Sequence, residues 1–449
     1  MAVLALALAW TCPGAAAGDD AAPVFTYFVL DNGLQVLLQE KHDLPLSGIT
    51  LAVNLGIKDE TDAQNGFTHL LEHMLLFGVG TDTDEDAGLA GFRRRGIAAN
   101  AHTDHDLMTY EISCPAAESA WALDRLRHAV FNPRFDAPRL ESEKRVIIEE
   151  MMQLGDDPQY LGRLLVMQQL FSGHAYGRSP FGDGSAIGKV TAEDMKAFGR
   201  RFLVPGRCAL SLVGDFVLAD MEKRVRETWG GPGPGQAGTT DIPFVQRLEK
   251  NVTQQVELDI SESHLFIGWW APDFNHQDRL PMSLLTYILG RGLNPLLHAA
   301  LGGDRRLAER LDMSFSPMGL GGMVTLHVVL EKKNISAAKN EIARFLGQLG
   351  SFKFSREDYP ALQQPYVFDF LQSAKNQMTR DSGEYSESTL NLSRAGARFL
   401  LLNRNPISGS YLENVEKVGS ADLRRVAARY LGGKKMAVVA IVPLEKKGP

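Results

Sequence analysis

The chain has 449 residues, 44% hydrophobic and 22% charged, and a formal net charge of −7. That length exceeds one ordinary domain and allows two or more, each with a sizeable core. Acidic and basic residues are dispersed, which leaves no footprint for nucleic acid and no polybasic patch for a membrane surface.

The chain opens on an apolar run, Met1-Ala-Val-Leu-Ala-Leu-Ala-Leu-Ala-Trp10, and Ala15-Ala16-Ala17 before Gly18 offers a small-residue cleavage site. Residues 1–17 therefore read as a secretory signal peptide, although one without the usual basic start. Cleavage near Ala17 predicts a periplasmic or secreted bacterial protein. Cys12 sits in a poor match to a lipid-attachment site. No later run approaches the roughly 18 apolar residues that span a bilayer, so no stable membrane insertion is expected. Cys114 and Cys208 lie in apolar, strand-like segments and read as packed thiols, with a disulfide between them as the alternative in an oxidising compartment.

Leu30-Asp31-Asn32-Gly33-Leu34-Gln35-Val36 carries an Asn-Gly turn signal beside a strand, and Gly48 to Leu55 reads as a buried strand. The next segment contains His69-Leu70-Leu71-Glu72-His73. Two histidines four residues apart on a helix project from nearly the same face, because 3.6 residues per turn brings the second almost above the first. Both imidazoles can reach one cation. Glu72 stands on a neighbouring part of that surface, where a carboxylate can hold a water beside the metal and accept its proton. A catalytic zinc site takes three protein ligands, so the two histidines are one short. Further on, His102, Asp104, His105 and Asp106 have a mixed spacing that fits no single helix or strand face, and they read as solvated turn residues.

A helix beginning near Pro138 places Leu140, Glu143, Ile147, Glu150 and Leu154 on one stripe by 3-4-3-4 spacing. Two carboxylates on a core-facing stripe are costly unless a cation or hydrogen bonds compensate them. Glu150 is the expected third ligand, and Glu143 the residue that orients or polarises a ligand from behind. Glu141 and Glu149 fall off the stripe and are expected in solvent. His174, in Gly173-His-Ala-Tyr-Gly177, is read as structural.

Residues 230–243 are rich in Gly and Pro and read as a linker between an N-terminal domain, 18–229, and a C-terminal domain, 244–449. The halves look alike. Thr191 to Phe202 followed by Cys208 to Gly214 parallels Ser420 to Tyr430 followed by Met436 to Val442, each a capped helix leading into a buried strand. Gly48 to Leu55 likewise corresponds to Ser263 to Trp270, and the histidine helix to a helix near Leu280 to Leu289 that has no metal residues. Strands and helices alternate in both, giving two duplicated α/β units of which only the first keeps the chemistry.

The inserted glutamate makes His69 to His73 an inverted zinc-peptidase motif. With Gly56 to Glu60, Gly66 to His73, Gly96 to Thr103 and Glu143 to Glu150 at the required separation, nearly the whole chain resembles the pitrilysin and insulinase family of zinc metallopeptidases, in its short-chain branch with the mitochondrial processing peptidase. The resemblance implies an α/β (α+β) fold of two units, each a mixed, mostly antiparallel sheet covered by helices. It implies one Zn²⁺ per chain on His69, His73 and Glu150, with Glu72 as general base. It also implies that Asn100 and Ala101 lie on an edge strand that pairs with the backbone of a peptide substrate.

Family members with a complete site carry an arginine and, seven residues later, a tyrosine in the second domain. The alignment puts Gly302 and Glu309 at those positions; a slip to Arg305 or Arg306 leaves Asp312 or Met313 where the tyrosine belongs. The expected protein is thus a zinc-bearing endopeptidase subunit whose homologous partner supplies the missing pair. The rival readings are a non-catalytic assembly subunit and a peptide-binding or chaperone-like protein with structural zinc. Retention of all the metal residues speaks against the first, since such relatives tend to lose them, and Glu72 speaks against the second, since a structural site needs no base beside its ligands.

Overall fold

The computed structural model describes residues 25–76, 88–231, 240, 242, 245–302, 306–355, 358, 368–403 and 411–445. The expected signal peptide, Cys12 and the middle of the Gly/Pro-rich stretch lie outside them. The chain forms two compact units. The first comprises residues 1–151, 178–242 and 382–410, the second residues 152–177, 243–381 and 411–449.

In the first unit, β1 (Phe25–Val29), β2 (Gln35–Glu40), β3 (Leu46–Val53), β4 (Ala98–Thr103), β5 (Met108–Pro115) and β6 (Cys208–Gly214) form one sheet. Its order is β1-β2-β6-β3-β5-β4. Only β2 and β6 run parallel. The β1–β2 turn uses Gly33 at φ 87°, a left-handed conformation that glycine adopts without a side-chain clash. Along β3, Ile49, Leu51 and Val53 join the core under the helices Phe67–Leu76, Ser119–Phe131 and Ala192–Phe202. Alternation then sends Gly48 and Thr50 to the opposite face. That face is covered by the helix Thr389–Leu402, where Thr50 Oγ1 and Ser393 Oγ are 2.8 Å apart.

In the second unit, β7 (Val252–Leu258), β8 (Ser263–Ala271), β9 (Arg310–Pro317), β10 (Gly322–Leu330) and β11 (Ala437–Pro443) take the order β7-β11-β8-β10-β9, again with only the first pair parallel. This repeats β2-β6-β3-β5-β4 strand for strand, so the duplication holds at the level of topology. One face packs on Arg279–Gly290 and Ile335–Gln348, and Phe266 and Val439 on the other pack against the helix Pro158–Leu170. Gly162 on that helix fits over Phe266 so closely that an added Cβ would meet the ring at 2.1 Å.

The units therefore differ from a single cut at residues 230–243. Each sheet has two faces to bury, and each takes one covering helix from the other half of the sequence: Pro158–Leu170 joins the second unit and Thr389–Leu402 the first. Cys114 and Cys208 are buried, free thiols. They pair with Ser47 and Val53, near opposite ends of β3, which leaves them no route to a disulfide. Burial pushes their thiols up to about 11 and about 12. Among the described residues no helix is long and apolar enough to cross a membrane.

Candidate metal centre

The helix Phe67–Leu76 buries Leu70, Leu71, Met74 and Leu75 in the first core. Its first turn is anchored by a residue that the sequence did not single out. The Glu60 carboxyl accepts the Thr68 amide at 2.7 Å, the Gly66 amide at 3.0 Å and the Asn65 side-chain amide at 3.1 Å. The two backbone amides are groups a helix start leaves without partners. Burial nonetheless raises the Glu60 carboxyl to about 7, against the pull of those donors. Arg178 fixes the segment from outside, donating to the Glu60 carbonyl at 2.7 Å and to Asp62 at 2.9 Å.

His69, Glu72 and His73 are all buried, and their ligand atoms lie within 4.8 Å of one another. His69 Nε2 and His73 Nε2 are 3.2 Å apart. Glu150 Oε2, from the helix Ala137–Gly155, lies 3.7 Å from the first and 3.8 Å from the second. Ligands bonded tetrahedrally to zinc at about 2.0–2.1 Å stand about 3.4 Å from one another. The two imidazoles and the Glu150 carboxylate fit a zinc ion at this place.

The surroundings favour a cation. Burial, then the neighbouring His73, holds the His69 imidazole down to about 3, so it is a neutral donor at neutral pH. Burial also pulls His73 down, but the hydrogen-bonded Glu143 and the charges of Glu72 and Glu150 outweigh it and the net direction is up. Carboxylates that favour a proton there also favour a metal ion. Glu143 Oε2 lies 3.2 Å from His73 Nδ1, which aims the opposite nitrogen at His69 and Glu150. Arg139 braces this pair, with Nη2 at 3.7 Å from Glu143 Oε1 and 3.5 Å from the His73 carbonyl. The Phe181 ring closes on His69 edge-on, centroids 5.0 Å apart.

Glu72 borders the same space but is held differently. Thr103 Oγ1, at the end of β4, donates to Glu72 Oε2 at 2.6 Å. Burial raises the Glu72 carboxyl, and the Thr103 bond opposes that rise. A carboxyl whose pKa burial raises, fixed beside a candidate metal site, is suited to take up and release a proton.

The structure brings His69, Glu72, His73, Glu143 and Glu150 together. Glu141 and Glu149 are exposed, as the helical stripe predicts. Asn100 and Ala101 fall on β4, the edge strand, with Ala101 buried in the core and Asn100 exposed. The expectation that His102, Asp104, His105 and Asp106 are solvated turn residues is corrected for most of them. His105 and Asp106 are buried, and Asp104 Oδ2 accepts from Arg398 at 2.6 Å. Only His102 is exposed. His174 is buried, its Nδ1 accepting the Tyr176 amide at 3.0 Å. Gly302 closes the helix Leu296–Leu301, Glu309 is exposed where β9 begins, and Arg305 lies outside the described residues.

Two sheets that share a five-strand order, the first bearing an inverted His-x-x-Glu-His helix faced by a glutamate, define the two-domain inverted zinc-peptidase class. The sequence profile described as Insulinase (Peptidase family M16) matches residues 35–184, and that described as Peptidase M16 inactive domain matches residues 189–366. The chain belongs to peptidase family M16. It is 23% identical over 422 residues to the uncharacterized zinc protease YmxG of Bacillus subtilis, covering 93% of this chain and 98% of that one. It is 19% identical over 444 residues to a probable mitochondrial-processing peptidase subunit beta of Arabidopsis thaliana, covering 94% and 79%. A protease from Helicobacter pylori shares the fold at a TM-score of 0.82, with 20% identity over 94% of this chain and all of that one.

Proposed function

We propose that this protein is a zinc-dependent endopeptidase subunit that hydrolyses peptides or unfolded polypeptide segments. One Zn²⁺ per chain is held by His69, His73 and Glu150. The observation that carries the reading is the convergence of these three donors, at separations of 3.2, 3.7 and 3.8 Å, with Glu72 beside them on the same helix.

Bound zinc lowers the pKa of water and polarises a carbonyl. The chain supplies the rest. Glu72, oriented by Thr103, takes the proton from the attacking water and returns it to the leaving amine. Glu143 keeps His73 in the orientation that presents Nε2. The edge strand β4, at Asn100 and Ala101, pairs with an extended substrate backbone. With Gly302 and Glu309 in place of the arginine and tyrosine, a homologous partner subunit completes the site. A leader cleaved near Ala17 places the protein in the bacterial periplasm or outside the cell.

The test is to co-express the chain with a homologous candidate partner and assay a peptide panel with and without chelator, using wild type and Glu72→Gln. Expected is cleavage that needs the partner, stops with chelator and falls by ~10²–10⁴ in Glu72→Gln. Chelator-resistant cleavage, or full activity in Glu72→Gln, overturns the mechanism. Full activity of the chain alone overturns the partner requirement.

A further inference from the structure

The general base is held by Thr103, and Thr103 sits between His102 and Asp104, of which the helix Thr389–Leu402 reaches Asp104 directly and His102 through Glu111. Asp104, immediately after it, caps the turn into β5 by accepting the amides of Asp106 at 2.7 Å and Leu107 at 2.8 Å on Oδ1. Its other oxygen takes the Arg398 guanidinium at 2.6 Å. His102, immediately before Thr103, has Nε2 at 3.5 Å from Glu111 Oε2. Glu111 is buried on β5 and is gripped by Arg394 through both carboxylate oxygens, at 2.6 and 2.5 Å. Arg394 and Arg398 are four residues apart on one helix, so their side chains leave the same face. Bidentate and charge-assisted bonds of this kind fix direction as well as distance.

The helix has little room to slide. An added Cβ at Gly48 would stand 2.4 Å from the backbone of Thr389 and Leu390, and one at Gly396 2.7 Å from Leu37 and Ser211. The Thr50–Ser393 bond registers it along the sheet. The two guanidinium groups are therefore presented to the hairpin from a fixed support.

We infer that Arg394 and Arg398 are positioning residues for the general base. By clamping the β4–β5 hairpin on either side of Thr103, they hold the hydroxyl that aims Glu72. They touch neither the metal-ligating side chains nor the reacting groups, and act through Thr103. The inference rests on the proposed peptidase reading, with one arm that does not.

The test uses the full chain with its partner, as wild type, Arg398→Ala, Arg398→Lys, Thr103→Val and the double variant Arg398→Ala/Thr103→Val. Expected for Arg398→Ala is a roughly tenfold fall in kcat with KM within about twofold, unchanged zinc content and partial recovery in Arg398→Lys, a loss typical of misplaced catalytic groups. In the Thr103→Val background the same change should cost less than about twofold, because the path through the hydroxyl is already cut. Equal, additive losses in the two backgrounds, or a fall in zinc content, overturn the inference. Amide exchange of residues 102–107 is read in parallel and needs no activity. Faster exchange in Arg398→Ala supports the clamp, and unchanged exchange overturns it. If the wild type cleaves no peptide, the peptidase reading falls while the exchange arm still decides the clamp.

Discussion

Glu143 and His73 meet at 3.2 Å through the imidazole nitrogen that faces away from the candidate zinc site. The contact ties the glutamate helix to the histidine helix one heptad before Glu150, so one pairing aims two candidate ligands. It also gives Glu143 a role that can be separated from ligation.

Glu143→Gln should keep the fold and weaken zinc binding about 10–100-fold, the usual cost of losing a partner behind a ligating histidine. Competition against a chromophoric chelator measures this. Affinity equal to wild type would leave Glu143 without the role assigned to it.

Thr103→Val tests the hold on Glu72 through pH. The Thr103 hydrogen bond lowers the Glu72 pKa, against burial that raises it. Without the bond the Glu72 pKa rises further, the base stays protonated to higher pH, and the acid limb of the kcat/KM profile moves upward. A limb that stays in place or moves down contradicts the assignment of Glu72 as the titrating base.

Glu60 predicts a pH dependence of stability. Its folded pKa, about 7, lies above the reference value of 4.5. Between those values the folded state binds more protons than the unfolded chain, so stability falls as pH rises through that window. The stabilisation is complete below pH 4.5 and gone above about 7, and is worth at most about 3 kcal/mol. Glu60→Gln should lose this component of the slope while starting from a lower stability, because an amide replaces an acceptor that serves three donors. Urea midpoints of both proteins at several pH values between 4.5 and 7.5 provide the check; parallel curves would refute it.

Gly48→Ala places a methyl group against the backbone of Thr389 and Leu390, which cannot rotate away. A cost of about 1–3 kcal/mol is expected, the range for overpacking a filled interior. Thermal unfolding measures it, and proteolysis should open the segment around residues 389–402 first. A stability within error of wild type would show that the helix packs more loosely than described.

The candidate ligand set was legible because its signals are local. His69 and His73 are related by a single helical turn, and Glu143 and Glu150 disclose themselves as carboxylates on an apolar stripe. The duplication was legible for a similar reason, since each copy repeats a helix and a buried strand in order. Glu60 was not, because it caps a helix from eight positions before Thr68, outside any capping spacing. Thr103 and Asp104 look like ordinary polar turn residues, and their partners Glu72 and Arg398 lie 31 and 294 positions away. No periodicity reports such pairings. The exchange of covering helices escaped notice for the same reason: the Gly/Pro-rich stretch marks where the chain crosses over, while membership of a unit depends on which sheet face still needs cover.

That exchange has a consequence for synthesis. A nascent chain can assemble all six strands of the first sheet once β6 has emerged, yet one face stays bare until residues 389–402 follow. Domains generally fold as they emerge, and exposed apolar surface in the interval invites misassembly. Here the first unit must wait through the making of most of the second, so a chain interrupted midway carries the candidate zinc-ligand residues without the helix that seats the hairpin beside them.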